Sequence, residues 1–367
     1  MKILFVGNTR RTSLALHYFT NLVKLGYLVL PYDPDYFYAR HLFERALIKL
    51  RREPTPSKKK AVSQDLITLC RKNRFDIVMV MAENFVDADT IAEMKSVSKS
   101  APLMIFHSHD NTFSPGILKP ANFIKTLQAY DFVFTTKSYN VPRYKALGQE
   151  NSFFIPSGYE PAIHHPISDQ YSIFPGQWFD VTFIGTYDLS RASYLAAAGW
   201  NRLQVWGDRW KRSPEFRKHH SRIHPKAIYD FEFADVTSHT KCALGLLREE
   251  AGDLHTTRTF EIPACGAMQL APRNEEILSF FREDEEIVCF DSPGELKEKL
   301  DYYLENEWKR AAIARRGFER CIRDKNTYLD RVSEMFGIIR KRGGTSATRV
   351  PVSYSPPTAQ IEISDVF

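Results

Sequence analysis

Apolar and polar positions follow two alternating rhythms along this chain. "KILFVG" (Lys2 to Gly7) is a short β-branched and aromatic run that ends in glycine. "RTSLALHYFTNLVKLG" then places Leu14, Tyr18, Leu22 and Leu25 on one helical face. That spacing predicts a helix with Thr12 or Ser13 as N-cap and Gly26 as C-cap. "YLVLPYD" follows as a second strand, so the chain opens as a βαβ unit and predicts a parallel sheet. The pattern continues with a basic amphipathic helix over Arg40 to Arg52, a helix near Ser63 to Lys72, and the strand "DIVMVMA". Strands "LMIFHS" and "FVFTTK" come next, and "SFFIPSG" closes a first domain over residues 1–158.

Residues 159–179, "YEPAIHHPISDQYSIFPGQWF", are rich in Pro and His, lack periodicity and read as an interdomain linker. A second α/β half over 180–326 starts afresh with "DVTFIGTYDLSRASYL", which repeats the strand–glycine–helix logic of the N-terminus. "LQVWGD", "CALGLL", "AMQLA" and "EIVCF" read as its further strands. Helices are expected through Tyr229 to His239, in a short piece ending at Gly266, and over Glu295 to Leu304 and Trp308 to Cys321. A last helix spans 327–341. Residues 342–367, poor in core formers and rich in Ser, Thr and Pro, predict a disordered tail. The fold class is therefore α/β, with two doubly wound parallel-sheet domains.

Composition narrows this picture only modestly. With 367 residues, 43% hydrophobic and 26% charged, the chain suits two ordinary soluble domains. No apolar run reaches the length of a membrane span, and "MKILFVGNTRR" lacks the apolar core and cleavage site of a signal peptide. The five cysteines are scattered without C-x-x-C spacing, which argues against a disulfide framework or a zinc site and for a reducing cytoplasm. The net charge of +6 admits a phosphate-bearing ligand, an anionic membrane surface or a polyanion. Basic clusters at Arg51–Arg52 with Lys58–Lys60, and in "WGDRWKRSPEFRKHH", match no nucleic-acid motif. A solvated basic face accounts for each, and no nucleic-acid partner is expected.

Ligands of open parallel sheets bind beyond the C-terminal ends of the strands. In the first half this rule selects Gly7–Arg11, Glu83–Asn84 and the "HSHDN" cluster from His107 to Asn111. In the second half it selects Gly185–Arg191, Gly207–Asp208 and Arg248 to Glu261. Gly185 and Thr186, followed by a helix entry near Asp188–Ser190, suggest a phosphate site to which Arg191 adds charge. "GNTRRTS" fits neither G-x-x-x-x-G-K-[ST] nor G-x-G-x-x-G, so P-loop and nicotinamide chemistry recede. In "HTTRTFEIPACGAMQLAP", Glu261 sits between Phe260 and Ile262, where an unpaired carboxylate is expensive. Thr256, Thr257 and Arg258 offer hydroxyls and a cation at the helix entry. Asp253 precedes Glu261 by eight positions; it also reads as an exposed loop carboxylate. Together these residues suggest a nucleotide site, with a carboxylate on the vicinal hydroxyls of a ribose and helix-entry N–H groups on phosphate.

"FIGTYDLSRASYL", "LQVWGDRW", "TRTFEIPACGA", "ELKEKLDYYL" and "IARRGFERC" together closely resemble the C-terminal domain of CgeB-type (spore-maturation) proteins, a branch of the group 1 glycosyltransferases. The resemblance runs from about Asp180 to Phe336. A looser one covers "YDFVFTTKSYNVPRYKALG" and "FFIPSGYEPAIHHP". It implies the GT-B fold: two Rossmann-like domains facing across a cleft, acceptor in the first and nucleotide-sugar donor in the second. The last helix, 327–341, is then expected to cross back to the first domain. The family's E-x7-E motif has its second Glu on the donor ribose and its first near the sugar. Glu261 matches the second position, and Asp253 replaces the first with a shorter carboxylate. The Arg/Lys pair on the diphosphate is half matched by Arg191, with Arg258 or Arg248 as the second member.

The resemblance implies a glycosyltransferase that needs neither metal nor cofactor, the nucleotide sugar being its substrate, with a cell-surface or envelope glycan or glycoconjugate as acceptor. An inverting enzyme would need a base in the first domain. Asp110 and His109 rank ahead of Glu83, with His107 beside them; a retaining enzyme would need none. Two rivals stand: a sugar-nucleotide epimerase, and a non-catalytic GT-B scaffold favoured by Asp253. Peripheral membrane contact through the basic helix Arg40–Arg52 is compatible with all three.

Overall fold

The computed structural model describes residues 1–34, 55–81, 85–114 and 122–342. The basic helix expected over 40–52, the candidate base Glu83 and the tail from 343 onward lie outside the described residues. The chain divides into two compact units, one formed by Met1–Pro156 with the helix Tyr328–Arg342, the other by Ser157–Thr327. Among the described residues no helix is long and apolar enough to cross a membrane.

The first unit holds a parallel sheet in the order β2-β1-β3-β4-β5-β6, built from β1 (Lys2–Val6), β2 (Leu28–Tyr32), β3 (Ile77–Val80), β4 (Leu103–Ser108), β5 (Phe132–Thr135) and β6 (Ser152–Phe154). Its strands read as continuous apolar runs because helices cover both faces. Ile3, Phe5, Ile77, Met79 and Phe134 pack on the side of the helix Leu14–Lys24 and the C-terminal helix Tyr328–Arg342. Leu4, Val6, Val78, Val80 and Val133 point to the opposite layer, where Leu66, Ile91 and Leu127 meet them. Ser13 caps the first helix by accepting the Ala15 N–H at 3.3 Å. The helix expected near 63–72 begins earlier and spans Pro56–Lys72, with Thr55 as N-cap and Pro56 in the first turn, a start signal that the lysine run after it obscured. The C-terminal helix belongs here because Val332, Met335, Phe336 and Ile339 form one apolar stripe against this face.

The second unit repeats the architecture with β7 (Phe179–Ile184), β8 (Leu203–Trp206), β9 (Ile223–His224), β10 (Thr240–Leu244), β11 (Met268–Pro272) and β12 (Val288–Phe290). The order β12-β11-β10-β7-β8-β9 puts the first strand at the centre, with connections leaving it in both directions. The strand order reverses at β7 and β10, so the crevice beyond their C-terminal ends is the expected ligand position. The stretch read as a linker, 159–179, is instead a belt packed on this unit. Ile167 and Phe174 join its core, and the Ile167 and Ile173 N–H groups donate to Ser238 Oγ (3.0 Å) and Asp235 Oδ2 (2.8 Å). Side chains of the helix Asp230–Ser238 take the place of a ladder, so the belt needs no periodicity.

Candidate functional site

Three segments converge at the β7–β10 switch point. The turn after β7 carries Gly185 and Thr186, the loop after β8 carries Gly207, and the long loop after β10 leads through Asp253 to the helix Arg258–Ala264. The first two are knitted together through Gly185, whose carbonyl accepts from Trp210 Nε1 at 2.9 Å. Gly207 has φ +155, and a Cβ there would sit 1.9 Å from that same carbonyl oxygen. Gly207 thus owes its identity to close backbone approach, whereas a Cβ on Gly185 would meet the Phe183 ring at 2.6 Å. Gly207→Ala is expected to destabilise the second unit by about 3 kcal/mol, read from thermal unfolding; an unchanged transition would contradict the close approach.

Arg191 departs from its expected role as a free phosphate ligand. It is buried, and its guanidinium donates to three backbone carbonyls: Thr186 (Nη1, 2.9 Å), Leu246 (Nη2, 3.1 Å) and Leu247 (Nε, 3.2 Å). Burial lowers its pKa to about 10, outweighing the raising effects of Asp188 and Asp253. Arg191 is a strut that pins the turn after β7 to the loop after β10. The spacing of "FIGTYDLSR" could not show which way its guanidinium turns.

Glu261 is buried, 5% exposed, on the first turns of the helix Arg258–Ala264. Its Oε2 accepts from the Thr257 hydroxyl at 2.9 Å and pairs with Arg258 Nη1. Its Oε1 faces His164 Nε2 at 3.6 Å, beyond hydrogen-bond reach. Burial by itself would raise the carboxyl pKa; Arg258, His164 and the Thr257 hydroxyl together outweigh it and hold the pKa below the ordinary value. One oxygen is therefore anchored on an ionised group, while the other keeps accepting capacity. Arg258 is fixed in turn by its guanidinium, 4.1 Å from the Phe233 ring centroid, and by Nε donation to the Ile184 carbonyl at 3.4 Å. Thr256 supplies no hydroxyl contact among the described residues; its N–H donates to Thr259 Oγ1 at 3.2 Å. Pro263 sits inside the helix, and Gly266, at φ +82, follows its end.

Asp253 corrects the alternative of an exposed loop residue. Its side chain is 1% exposed and its Oδ2 accepts from Arg248 Nε at 3.1 Å. Both carboxylates of the D-x7-E spacing are thus buried and each is paired with an arginine.

Two histidines were missed by sequence reasoning. His164 lies in the belt, and its Nδ1 accepts the Glu160 N–H at 3.0 Å. His255 is buried, accepts the Ser157 N–H on Nε2 at 2.9 Å and pairs through Nδ1 with Glu276. The only sequence signal for them was their placement, in "IHHP" and two positions before Thr257.

The candidate bases of the first unit come apart. His107, next to last in β4, is fully buried with both ring nitrogens unreached, and its ring packs at 4.6 Å from Tyr18 and 4.5 Å from His109. Burial, then the neighbouring His109, push its pKa well below the ordinary value; burial, then Lys137, lower His109 to about 3. Neither imidazole is a solvent-facing base at neutral pH, which corrects that expectation. Asp110 alone of the described candidates is exposed. A surface hollow bounded by Gln128, Asp131, Glu150 and Arg342 lies at the N-terminal ends of β5 and β6, the edge opposite to ligand binding in a parallel sheet. Among the described residues, no group of three or more His, Cys, Asp or Glu is placed to hold a metal ion.

Residues 189–337 match the model of a family described as glycosyl transferase-like. No curated protein matches the chain. Among solved structures, a glycosyltransferase from Rickettsia africae is similar with TM-score 0.65 and 12% identity, over 93% of this chain and 98% of that one. Sucrose-phosphate synthase from Thermosynechococcus elongatus gives 0.63 and 12%, over 93% and 98%. Anabaena HepE in complex with UDP gives 0.62 and 14%, over 93% and 100%. At these identities the likeness speaks for the fold: two Rossmann-like units with parallel six-stranded sheets, the GT-B architecture.

Proposed function

We propose that the chain is a glycosyltransferase that moves a sugar from a nucleotide-diphosphate donor to a hydroxyl of a glycan or glycoconjugate, without a metal ion. The observation that carries this reading is Glu261: an ionised, buried carboxylate at the switch point with one oxygen anchored and the other able to accept. A ribose offers two adjacent hydroxyl donors to such a group. The leaving diphosphate needs positive charge as the glycosidic bond breaks, and Arg258 and Arg248 supply it beside the carboxylates, with Arg191 bracing the loops behind them. Asp110 is the described residue best placed by exposure to take a proton from an acceptor hydroxyl if the reaction inverts.

The test is thermal unfolding against UDP, GDP, ADP and dTDP, for wild type and Glu261→Ala. HepE, solved with UDP, makes UDP the first to try. A ligand held by the folded state at 100 times its Kd stabilises by about 2.7 kcal/mol. A shift with one diphosphate, absent in the variant, supports the donor site. No shift with any of the four would overturn it. Turnover of the matching nucleotide sugar only with acceptor present separates a transferase from an epimerase, which needs no acceptor.

A further inference from the structure

We propose that His164 is a positioning residue for Glu261, holding the Oε1 oxygen of that carboxylate ready to accept a hydroxyl of the bound ribose. This rests on the donor-site reading above and extends it to a residue from outside the D-x7-E loop.

His164 Nδ1 accepts the backbone N–H of Glu160 at 3.0 Å, so in the neutral ring the proton sits on Nε2. That N–H faces Glu261 Oε1 at 3.6 Å. The separation is too long for a hydrogen bond, so the lone pairs of Oε1 remain available, yet short enough for the N–H dipole to orient the charge. The ring itself cannot swing. It is 5% exposed and stands edge-on to Phe233, with centroids 5.7 Å apart at 85°. Phe233 also carries the Arg258 guanidinium. His164, Phe233, Arg258 and Glu261 therefore form one packed cluster in which the two carboxylate oxygens have different tasks. Thr257 and Arg258 anchor Oε2, and His164 orients Oε1. The belt that delivers His164 is itself fastened through Ser157 to His255, which in turn pairs with Glu276.

The experiment is a cycle between protein and ligand. Dissociation constants for UDP and 2′,3′-dideoxy-UDP are measured by calorimetry on wild type, His164→Asn, His164→Gln, Glu261→Gln and the double variant His164→Asn/Glu261→Gln; if another of the four diphosphates gives the thermal shift, it and its dideoxy analogue are used. His164→Asn keeps an acceptor where Nδ1 was and removes the Nε2 donor. His164→Gln carries a donor out to the Nε2 position. His164→Asn is expected to weaken UDP about tenfold and the dideoxy analogue less than about twofold, with no further effect on a Glu261→Gln background. His164→Gln is expected to recover most of the loss. Equal weakening of both ligands would reveal a purely structural role and overturn the proposal, as would unchanged UDP affinity. Melting temperatures identify any variant that fails to fold; if His164→Asn is one, His164→Ala against His164→Gln carries the comparison, and only the variant without a donor at the Nε2 position should lose UDP affinity. If wild type binds none of the diphosphates, the donor reading falls and takes this inference with it; if it binds but the cycle is additive, only this inference falls.

Discussion

Arg258→Ala is expected to destabilise the second unit by about 3 kcal/mol at neutral pH, and Glu261→Gln by roughly 1 kcal/mol. The asymmetry follows from burial. Glu261 is 7% exposed at the side chain and Arg258 28%, so removing the carboxylate leaves a cation that water still reaches. Removing the cation leaves an anion in the interior with, among the described residues, the Thr257 hydroxyl and His164. The pH dependence distinguishes this from a loss of packing over Phe233. In wild type the Glu261 pKa is depressed below 4.5, so its contribution is present above that value and lost as pH falls through the folded pKa. Without Arg258, burial becomes the dominant influence and raises the folded pKa, so the carboxyl destabilises at pH 7 and ceases to do so once protonated. The stability gap between wild type and Arg258→Ala should therefore narrow from about pH 7 to about pH 4. Denaturant unfolding at the two pH values measures it; a gap that stays constant would assign the loss to packing. Glu261 ended up between Phe260 and Ile262 because its partners, Thr257 and Arg258, lie one helical turn before it.

Much of the fold was legible because a parallel sheet writes itself twice, once in all-apolar strands such as Ile77–Val80 and again in the glycine or cap that ends each helix. What failed was whatever depends on a partner distant in sequence. The belt 159–179 carries no period because Ser238 and Asp235 side chains satisfy its backbone. His255 and Ser157 meet across 98 positions, so no local spacing announces the pair. The site was legible by the same rule. Glu261 and Arg258 are i,i+3 neighbours and could be found in a short string. Arg191 was placed on the right turn, but its direction depends on the carbonyls of Leu246 and Leu247, which lie in the loop after β10. His107 fell to the alternation of β4: the strand-end rule chose the right edge, but this position points inward onto Tyr18.

That inward pair sets the acid limit of the first unit, where the wild-type protein is expected to lose about 4 kcal/mol between pH 7.5 and pH 5. His107 and His109 are neutral in the folded state, burial being the main cause, with His109 adding to it at His107 and Lys137 at His109. In the unfolded chain both titrate near 6.5. Above that value neither state binds the protons and the pair has no effect on pH dependence. Below it the unfolded chain takes up two protons that the folded unit refuses, so stability falls by up to about 1.4 kcal/mol per histidine per pH unit until the folded pKa values are reached. The groups facing the rings do not offset this. Tyr18 stays protonated because burial raises its pKa, and Arg331 and Glu334 act on that phenol from the C-terminal helix. The window matters, because depressed carboxylates such as Glu261 and Glu295 lose their stabilising contribution only below about pH 4.5, whereas the histidines titrate above it. His107→Gln/His109→Gln keeps polar groups in place and removes both titrations, so its unfolding profile between pH 7.5 and pH 5 should be flatter by most of that loss. His224 in the second unit, lowered by partial burial, acts in the same direction and remains in both proteins. A double variant as acid-sensitive as wild type over this window would show that the folded pair takes up protons after all, and would return His109 to the list of usable bases.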